Sequence, residues 1–267
     1  MQKIPINKPL ERVIFLGRKP LAVEAAKFLL GQNIQITLIV CPSIGKDAEA
    51  FSELGKKHNI TVLNDGKALY QMIKDGDERI KNVDLVISYL YPRRIKMPLI
   101  NLASLGCVNF HPAPLPDYKS RAGYNTAILE NKKEFGVSAH FIDSEEFDAG
   151  PIIKVLRFPI AADEKVMDLV EKTQEKLLVL FKEVILNFQK QSPIEVLKNK
   201  DGLYLTGAEL ESLKAIDPGK DSLEETHRKI RAFFYPPYHG ATIKIKGEKF
   251  TLVDEDTLRY LAKKLGL

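Results

Sequence analysis

The sequence predicts an α/β fold: a largely parallel sheet with helices on both faces, plus a small C-terminal appendage built from a helix and a β-hairpin. Two observations carry this. The first 110 residues alternate short, near-continuous apolar runs with helical stretches, the pattern of strands buried on both faces of a sheet. After about residue 190 that alternation gives way to an irregular pattern. A length of 267 residues suits one main domain with an appendage, and the expected division is 1–190 and 191–267.

The elements follow in order. Residues 13–16 read as a buried strand. Pro20 at a first helical position and Gly31 just past the end bracket a helix through Ala25, Ala26 and Leu29. Residues 36–40 form a second strand, 48–57 a second helix, 60–63 a strand, and 68–72 lie in a helix. Strands at 85–89 and 107–110 complete the alternation. Small ligands bind beyond the carboxyl ends of such strands, where Ser88-Tyr89 and Asn109-Phe110-His111 stand. Residues 111–123 hold three prolines and exclude regular helix or an interior strand. A helix at 125–130 and strands at 137–142 and 152–156 follow, with an acidic loop at 143–150. Asp163 is placed to cap a long helix whose apolar positions from Val166 to Phe188 keep the 3.6-residue period. In the appendage, Ser222 and Glu225 form a capping box, and 242–253 read as the hairpin.

Charge and composition narrow the function classes. No apolar run approaches the roughly 20 residues of a membrane helix, and Met1-Gln2-Lys3-Ile4-Pro5 lacks a secretory apolar region. Cys41 and Cys107 cannot build a disulfide framework and suit a reducing cytoplasm. The chain has 40 Lys and Arg against 35 Asp and Glu, a net charge of +5. From residue 201 onward, eleven basic residues meet eleven acidic ones, so the whole surplus lies earlier. That argues against a basic nucleic-acid-binding tail. Residues 1–20 and 91–121 each hold five basic residues against one acidic.

Asn109, His111 and Asp148 are the candidate chemical group. An Asn amide donates to a developing oxyanion, a His near its free pKa moves a proton at neutral pH, and a carboxylate orients that His and supports its charge. Each also reads as an ordinary structural residue: a hydrogen-bonded His beside prolines, a turn-forming Asp before Ala149-Gly150, an Asn satisfying local backbone. Spacing alone does not choose between these readings.

The string Asn109-Phe110-His111-Pro112-Ala113-Pro114-Leu115-Pro116-Asp117-Tyr118 resembles the signature of formyltransferases that use N10-formyltetrahydrofolate. So do Gly136-Val137-Ser138-Ala139-His140-Phe141-Ile142 and Phe147-Asp148-Ala149-Gly150-Pro151-Ile152-Ile153. The likeness runs from about residue 10 to 190. It implies a Rossmann-like sheet and a catalytic triad of Asn109, His111 and Asp148. A substrate amine attacks the formyl carbon, Asn109 stabilises the oxyanion, and His111 accepts or relays the amine proton. Asp148 sets the charge and orientation of His111 and helps protonate the departing folate nitrogen. No covalent enzyme intermediate and no metal are implied, and Cys41 and Cys107 read as core thiols. The resemblance also implies that main-chain groups of two loops hold the pterin, here Leu90, Tyr91, Pro92, Arg93 and Ile95, then Ile142, Asp143, Ser144, Glu145 and Glu146. Arg93 and Arg94 are surface charge or reach the glutamate tail of folate. Where many relatives have Tyr-Arg-Gly after the proline loop, this chain has Tyr118-Lys119-Ser120-Arg121-Ala122-Gly123, which leaves the acceptor open.

Among acceptors, a methionyl-tRNA formyltransferase needs a larger, basic C-terminal barrel, because holding tRNA depends on Lys and Arg. A glycinamide ribonucleotide transformylase would show a Gly-Ser-Asn phosphate loop, where this chain has Gly17-Arg18-Lys19-Pro20, and would stop near residue 200. A formyltetrahydrofolate hydrolase would carry an N-terminal regulatory module. The nucleotide-sugar N-formyltransferases are the most similar, through Ser88-Tyr89-Leu90-Tyr91-Pro92 and Ile230-Arg231-Ala232-Phe233-Phe234-Tyr235-Pro236-Pro237-Tyr238. They imply a dTDP-4-amino-4,6-dideoxyhexose as acceptor, a role in surface polysaccharide synthesis, and a homodimer formed through the tail hairpin, with no nucleic-acid or membrane partner. Arg18, Lys19, Lys119 and Arg121 are candidates for the pyrophosphate, and Tyr235 or Tyr238 for stacking on the base. Each also reads as surface charge or packing. A non-catalytic nucleotide-sugar-binding protein on the same fold is the alternative from another class. The three polar residues together argue against it.

Overall fold

Near-continuous apolar strands joined by crossover helices must lie parallel and be covered on both sides, and the chain is built that way. The computed structural model describes residues 2–42, 44–120 and 123–266. After a short first strand, β1 (Gln2–Ile4), come β2 (Arg12–Gly17), α1 (Pro20–Gly31), β3 (Gln35–Val40), α2 (Lys46–His58), β4 (Thr61–Leu63), α3 (Gly66–Asp75), β5 (Leu85–Tyr89), α4 (Met97–Ile100) and β6 (Cys107–His111). The proline-rich connection holds β7 (Tyr118–Ser120) and leads to α5 (Gly123–Leu129), β8 (Glu134–Phe141), β9 (Ile152–Pro159) and α6 (Val166–Gln189).

Among the described residues seven strands form the central sheet, in the order β4-β3-β2-β5-β6-β8-β9. The first five are parallel; β8 runs antiparallel to β6, and β9 to β8. Alternation along β2 shows the two-sided burial directly. Val13 and Phe15 join the core layer under α1, α2 and α6, while Ile14 and Leu16 join the layer under α3 and α4. Phe181 of α6 centres the larger layer. Its ring centroid lies 4.8 Å from that of Phe110, 5.6 Å from Tyr89, 6.3 Å from Phe28 and 6.4 Å from Phe15. Phe181→Ala is expected to destabilise the fold by about 3–5 kcal/mol, read as a lower urea midpoint with an unchanged slope.

Beyond α6 the chain returns to the main body. Strand β10 (Ile194–Val196) pairs antiparallel with β1, and β11 (Leu203–Leu205) pairs parallel with β7. Then follow α7 (Gly207–Ser212), β12 (Ala215–Ile216), α8 (Leu223–Phe233), β13 (Thr242–Ile245), β14 (Glu248–Thr251) and α9 (Glu255–Leu265). The hairpin β13–β14 and the Ser222–Glu225 capping box stand where the sequence places them. Among the described residues no helix is long and apolar enough to cross a membrane.

Two expectations are corrected. Gly31 is the last residue of α1 rather than the first beyond it, and Asn33 takes the left-handed conformation at φ 58°. Asp163 does not cap α6: the N-cap is Lys165, without a side-chain capping bond. Glu164 instead folds back onto the Ala161 N–H at 2.8 Å and pairs with Lys172 at 2.7 Å. That closes a turn and starts the helix beyond the reach of Asp163.

Candidate active site

Parallel strands end on one edge of the sheet, and the ends of β5 and β6 bring the site's first groups together. Ser88 pairs with Asn109 in the β5–β6 register, and Asn109 with His140 in the β6–β8 register. Directly paired residues project to the same face, so three polar side chains meet there. Ser88 Oγ donates to Asn109 Oδ1 at 2.8 Å. His140 Nδ1 lies 2.8 Å from the Phe141 carbonyl oxygen. A carbonyl only accepts, so Nδ1 carries the hydrogen and Nε2 is free to accept from Asn109 Nδ2 at 3.0 Å. The Asn109 amide is thus oriented from both ends.

His111 closes β6 and is buried. Asp148 comes from the β8–β9 connection and sits at φ 51°, a left-handed conformation that Asp tolerates better than most residues. A Cβ at Gly150 would fall 2.0 Å from the Phe141 carbonyl oxygen, so the turn after Asp148 needs glycine there. Asp148 Oδ1 lies 3.3 Å from Asn109 Nδ2, 3.4 Å from His111 Nδ1 and 3.4 Å from His140 Nε2. Its Oδ2 accepts from the Ser120 N–H at 2.9 Å. The structure therefore joins all three residues of the expected triad around one carboxylate.

Burial opposes charge on Asp148, yet the His111 ring and the Ser120 N–H outweigh it, holding the carboxyl well below the usual carboxylate range. Burial pushes the His111 imidazole below its ordinary value; Asp148 and the Tyr118 carbonyl resist, and His140 adds to the lowering. At neutral pH the pair is an ionised carboxylate beside a neutral imidazole. His111 Nε2 lies 3.1 Å from the Tyr118 carbonyl oxygen and Nδ1 faces Asp148. A neutral ring donates to only one of these oxygens, whereas a protonated ring donates to both. Protonation would thus satisfy both oxygens, while burial opposes it.

The two loops expected to hold a pterin flank this group. Leu90, at φ 55°, presents its carbonyl to Arg18 Nε at 3.0 Å. The Tyr91 and Ile95 side chains pack into the smaller core layer, and burial pushes the Tyr91 hydroxyl up to about 12. Pro92 is half-buried, and Arg93 and Arg94 are exposed. In the second loop the Ile142 N–H donates to the Cys107 carbonyl at 2.8 Å, and Ser144 Oγ accepts from the Glu146 N–H at 3.4 Å. Asp143, Glu145 and Glu146 are exposed. Glu145 nevertheless ties the loops together, its Oε1 accepting from the Met97 N–H at 3.1 Å. The Arg94 guanidinium lies 5.2 Å from the centre of the Phe147 ring, bridging the same gap.

The residues proposed for a nucleotide are more scattered. Arg18 is half-buried with its Nε committed to Leu90, Lys19 is exposed at φ 80°, and Lys119 is half-buried on β7. Arg121 lies outside the described residues. Tyr235 packs against the larger core layer, while Tyr238 is 70% exposed, with ring centroids 5.8 Å apart. Arg18 and Tyr235 share one neighbourhood, since both act on the Tyr124 hydroxyl, which burial raises. Among the described residues no three His, Cys, Asp or Glu side chains are arranged to hold a metal ion.

Sequence reasoning assigned no role to His140 or to Ser88's bond with Asn109. The available signal was alternation: Ser138 and His140 interrupt an otherwise apolar strand on one face.

Comparison with known proteins matches the formyl transferase family over residues 64–185. The chain is 30% identical over 260 residues to the GDP-perosamine N-formyltransferase of Brucella melitensis biotype 1, covering 96% of this chain and 97% of that one. It is 27% identical over 256 residues to the methionyl-tRNA formyltransferase of a Wolbachia of Drosophila simulans, covering 92% and 81%. Its fold matches the crystal structure of an N-formyltransferase from Helicobacter canadensis, solved in complex with folinic acid and dTDP-3-aminofucose. There the TM-score is 0.69 at 20% identity, over 90% of this chain and 86% of that one. A relative at 30% identity along nearly its whole length, together with the family's pattern across the centre of the chain, shows that this chain belongs to the formyl transferase family.

Proposed function

We propose that the protein is a sugar N-formyltransferase that moves a formyl group from N10-formyltetrahydrofolate to the amine of a nucleotide-linked amino-deoxy sugar. The observation that carries this reading is the convergence of Asn109 and His111 on Asp148 Oδ1. The donor supplies an activated formyl carbon. The Arg94 guanidinium, 5.2 Å from the centre of the exposed Phe147 ring, sets a cation beside the 143–150 loop, which suits a donor carrying a carboxylate tail. Main-chain groups of Leu90, Tyr91, Pro92, Arg93 and Ile95 and of residues 142–146 would hold the pterin ring.

The hydrogen-bond directions support the following roles for the three polar residues. Asn109 Nδ2, oriented by Ser88 and His140, has one hydrogen on His140 Nε2 and the other in the longer 3.3 Å contact with Asp148 Oδ1. The second is the one it turns to the oxygen as negative charge develops. Neutral His111 takes the proton lost by the attacking amine, and Asp148 and the Tyr118 carbonyl then hold both N–H groups of the charged ring. Asp148, kept ionised, stabilises that charge, and the proton held on the His111 ring passes to the folate nitrogen as its bond to the formyl carbon breaks.

For the acceptor we favour a nucleotide sugar, specifically a dTDP-4-amino-4,6-dideoxyhexose. The relative matched nearly end to end is named for a GDP-linked amino sugar. The methionyl-tRNA formyltransferase relative supports the second reading, but the charge-neutral stretch from residue 201 suits a small anionic substrate better than tRNA. On this reading residues 1–190 form the catalytic unit and 191–267 an appendage for substrate and dimer contacts, in a cytoplasmic enzyme of surface polysaccharide synthesis. The test is formyl release from N10-formyltetrahydrofolate against dTDP- and GDP-linked 4-amino and 3-amino sugars and initiator methionyl-tRNA. One nucleotide sugar is expected to be formylated; transfer to methionyl-tRNA alone would overturn the sugar assignment.

A further inference from the structure

The segment that leaves β10 turns back beneath the candidate site. Leu197 and Ile152 exchange backbone hydrogen bonds of 2.9 and 2.8 Å. Two residues later Asn199, half-buried, sends one nitrogen into the Asp148 turn: Nδ2 donates to the Asp148 carbonyl oxygen at 2.8 Å and to the Gly150 carbonyl oxygen at 3.0 Å. Both partners only accept, so the amide's orientation is settled; a flipped amide would set its oxygen against two others. Asn199 Oδ1 is buried with no hydrogen-bond partner among the described residues. That cost is borne while the nitrogen holds the turn. The turn is also pressed against the Phe141 carbonyl through Gly150.

The same segment also holds the other half of the site. A Cβ at Gly202 would fall 1.6 Å from the Pro116 carbonyl oxygen, so glycine lets the chain pass close enough for β11 to pair with β7. Strand β7 supplies the Tyr118 carbonyl to His111 Nε2 and the Ser120 N–H to Asp148 Oδ2. Residues 197–205 thus strap down both partners of the His111–Asp148 pair.

We infer that Asn199 is a positioning residue for Asp148: its amide holds the left-handed turn that sets the carboxylate against His111 Nδ1 and Asn109 Nδ2. The inference rests on the proposed formyl-transfer reading for its kinetic consequence, but its geometric part can be tested without any acceptor.

The experiment follows the His111 imidazole by NMR titration in the full chain, for the wild type and for Asn199→Ala, Asn199→Gln, Asn199→Asp and Asp148→Asn. The urea midpoint of each variant serves as the reference for an intact fold. Asp148 raises the His111 value, so Asp148→Asn shifts the titration to lower pH, and Asn199→Ala is expected to shift it in the same direction. In formyl-release assays Asn199→Ala is expected to lower kcat by about 10- to 100-fold with KM little changed, as a misplaced group does. Asn199→Gln, which keeps the donor, recovers part of the loss. Asn199→Asp, nearly isosteric but lacking both N–H groups, is worse than Ala. If Asn199→Ala leaves the His111 titration in place while Asp148→Asn moves it, or if Asn199→Asp behaves as wild type, the inference is overturned. A failure of every amino sugar to accept formyl would sink the sugar reading alone, because the titration still decides the role of Asn199.

Discussion

Asp148→Ala is expected to lower kcat about a thousandfold, within the range that positioned acid–base groups contribute, and to do so with any acceptor that proves correct. Asp148 Oδ1 is the point on which Asn109, His111 and His140 converge, and Oδ2 satisfies the Ser120 N–H. Alanine removes the charge that would balance a protonated His111 and leaves the Ser120 donor without its partner, which costs about 1–3 kcal/mol where such a group is buried. The isosteric change Asp148→Asn would not be benign either: an amide nitrogen pointed at Ser120 sets donor against donor, and one pointed at Asn109 does the same. The pH dependence of stability carries a second signature. The folded-state value lies below the ordinary one of 3.8, so the unfolded chain binds the proton more readily. The stabilisation is fully present above about 3.8 and is lost as pH falls through the folded value. Urea midpoints measured from neutral pH downward should therefore fall less steeply for Asp148→Ala than for the wild type. Equal slopes, or a kcat within tenfold of wild type, would remove Asp148 from the centre of the site.

Much of this was legible in the chain because strand and helix periods are local. The apolar runs at 13–16, 36–40, 85–89 and 107–110 became parallel neighbours, and Asn109 and His111, two residues apart at a strand end, were bound to share a face. The role of His140 needed the register of β8 against β6, a non-local fact: only the pairing Asn109↔His140 turns a buried histidine into a partner of the amide. The same holds for Ser88 across β5–β6. The three-residue strands β10 and β11 carry too little pattern to be read. Their partners β1 and β7 lie far off in sequence, so the strap bearing Asn199 looked like an irregular linker. Asp163 misled because its residue type suits a cap, while Glu164, one position later, took the backbone bond that ended the turn. Arg18, read as a free cation near a phosphate, is partly committed to the Leu90 carbonyl.

His111→Ala is expected to lower kcat by about 10²- to 10⁴-fold, and the wild type's pH profile should show why. The free ring's ordinary value is 6.5, and burial brings it lower, so the proton-accepting form persists to more acid pH than a free imidazole would allow. kcat/KM should be level near neutrality and fall on the acid side with an apparent pKa below about 6.5. That limb reflects protonation of His111 before substrate arrives. Asp148 opposes the lowering, so Asp148→Asn should move the limb of the residual activity still further toward acid. In His111→Ala the limb belonging to this ring should vanish from whatever rate remains, because no other group of the triad titrates there: Asp148 is held well below the carboxylate range and Asn109 does not ionise. Folding stability has the same sign. Between 6.5 and the lowered value the unfolded chain takes a proton that folded His111 refuses. The contribution is therefore complete above about 6.5 and lost as pH falls through that window. A kcat/KM that instead falls on the alkaline side, with the activity carried by the protonated ring, would show that His111 enters the reaction already charged. The proton from the amine would then need another acceptor, and His140, whose Nε2 stands 3.4 Å from the same carboxylate oxygen, would be the residue to test next.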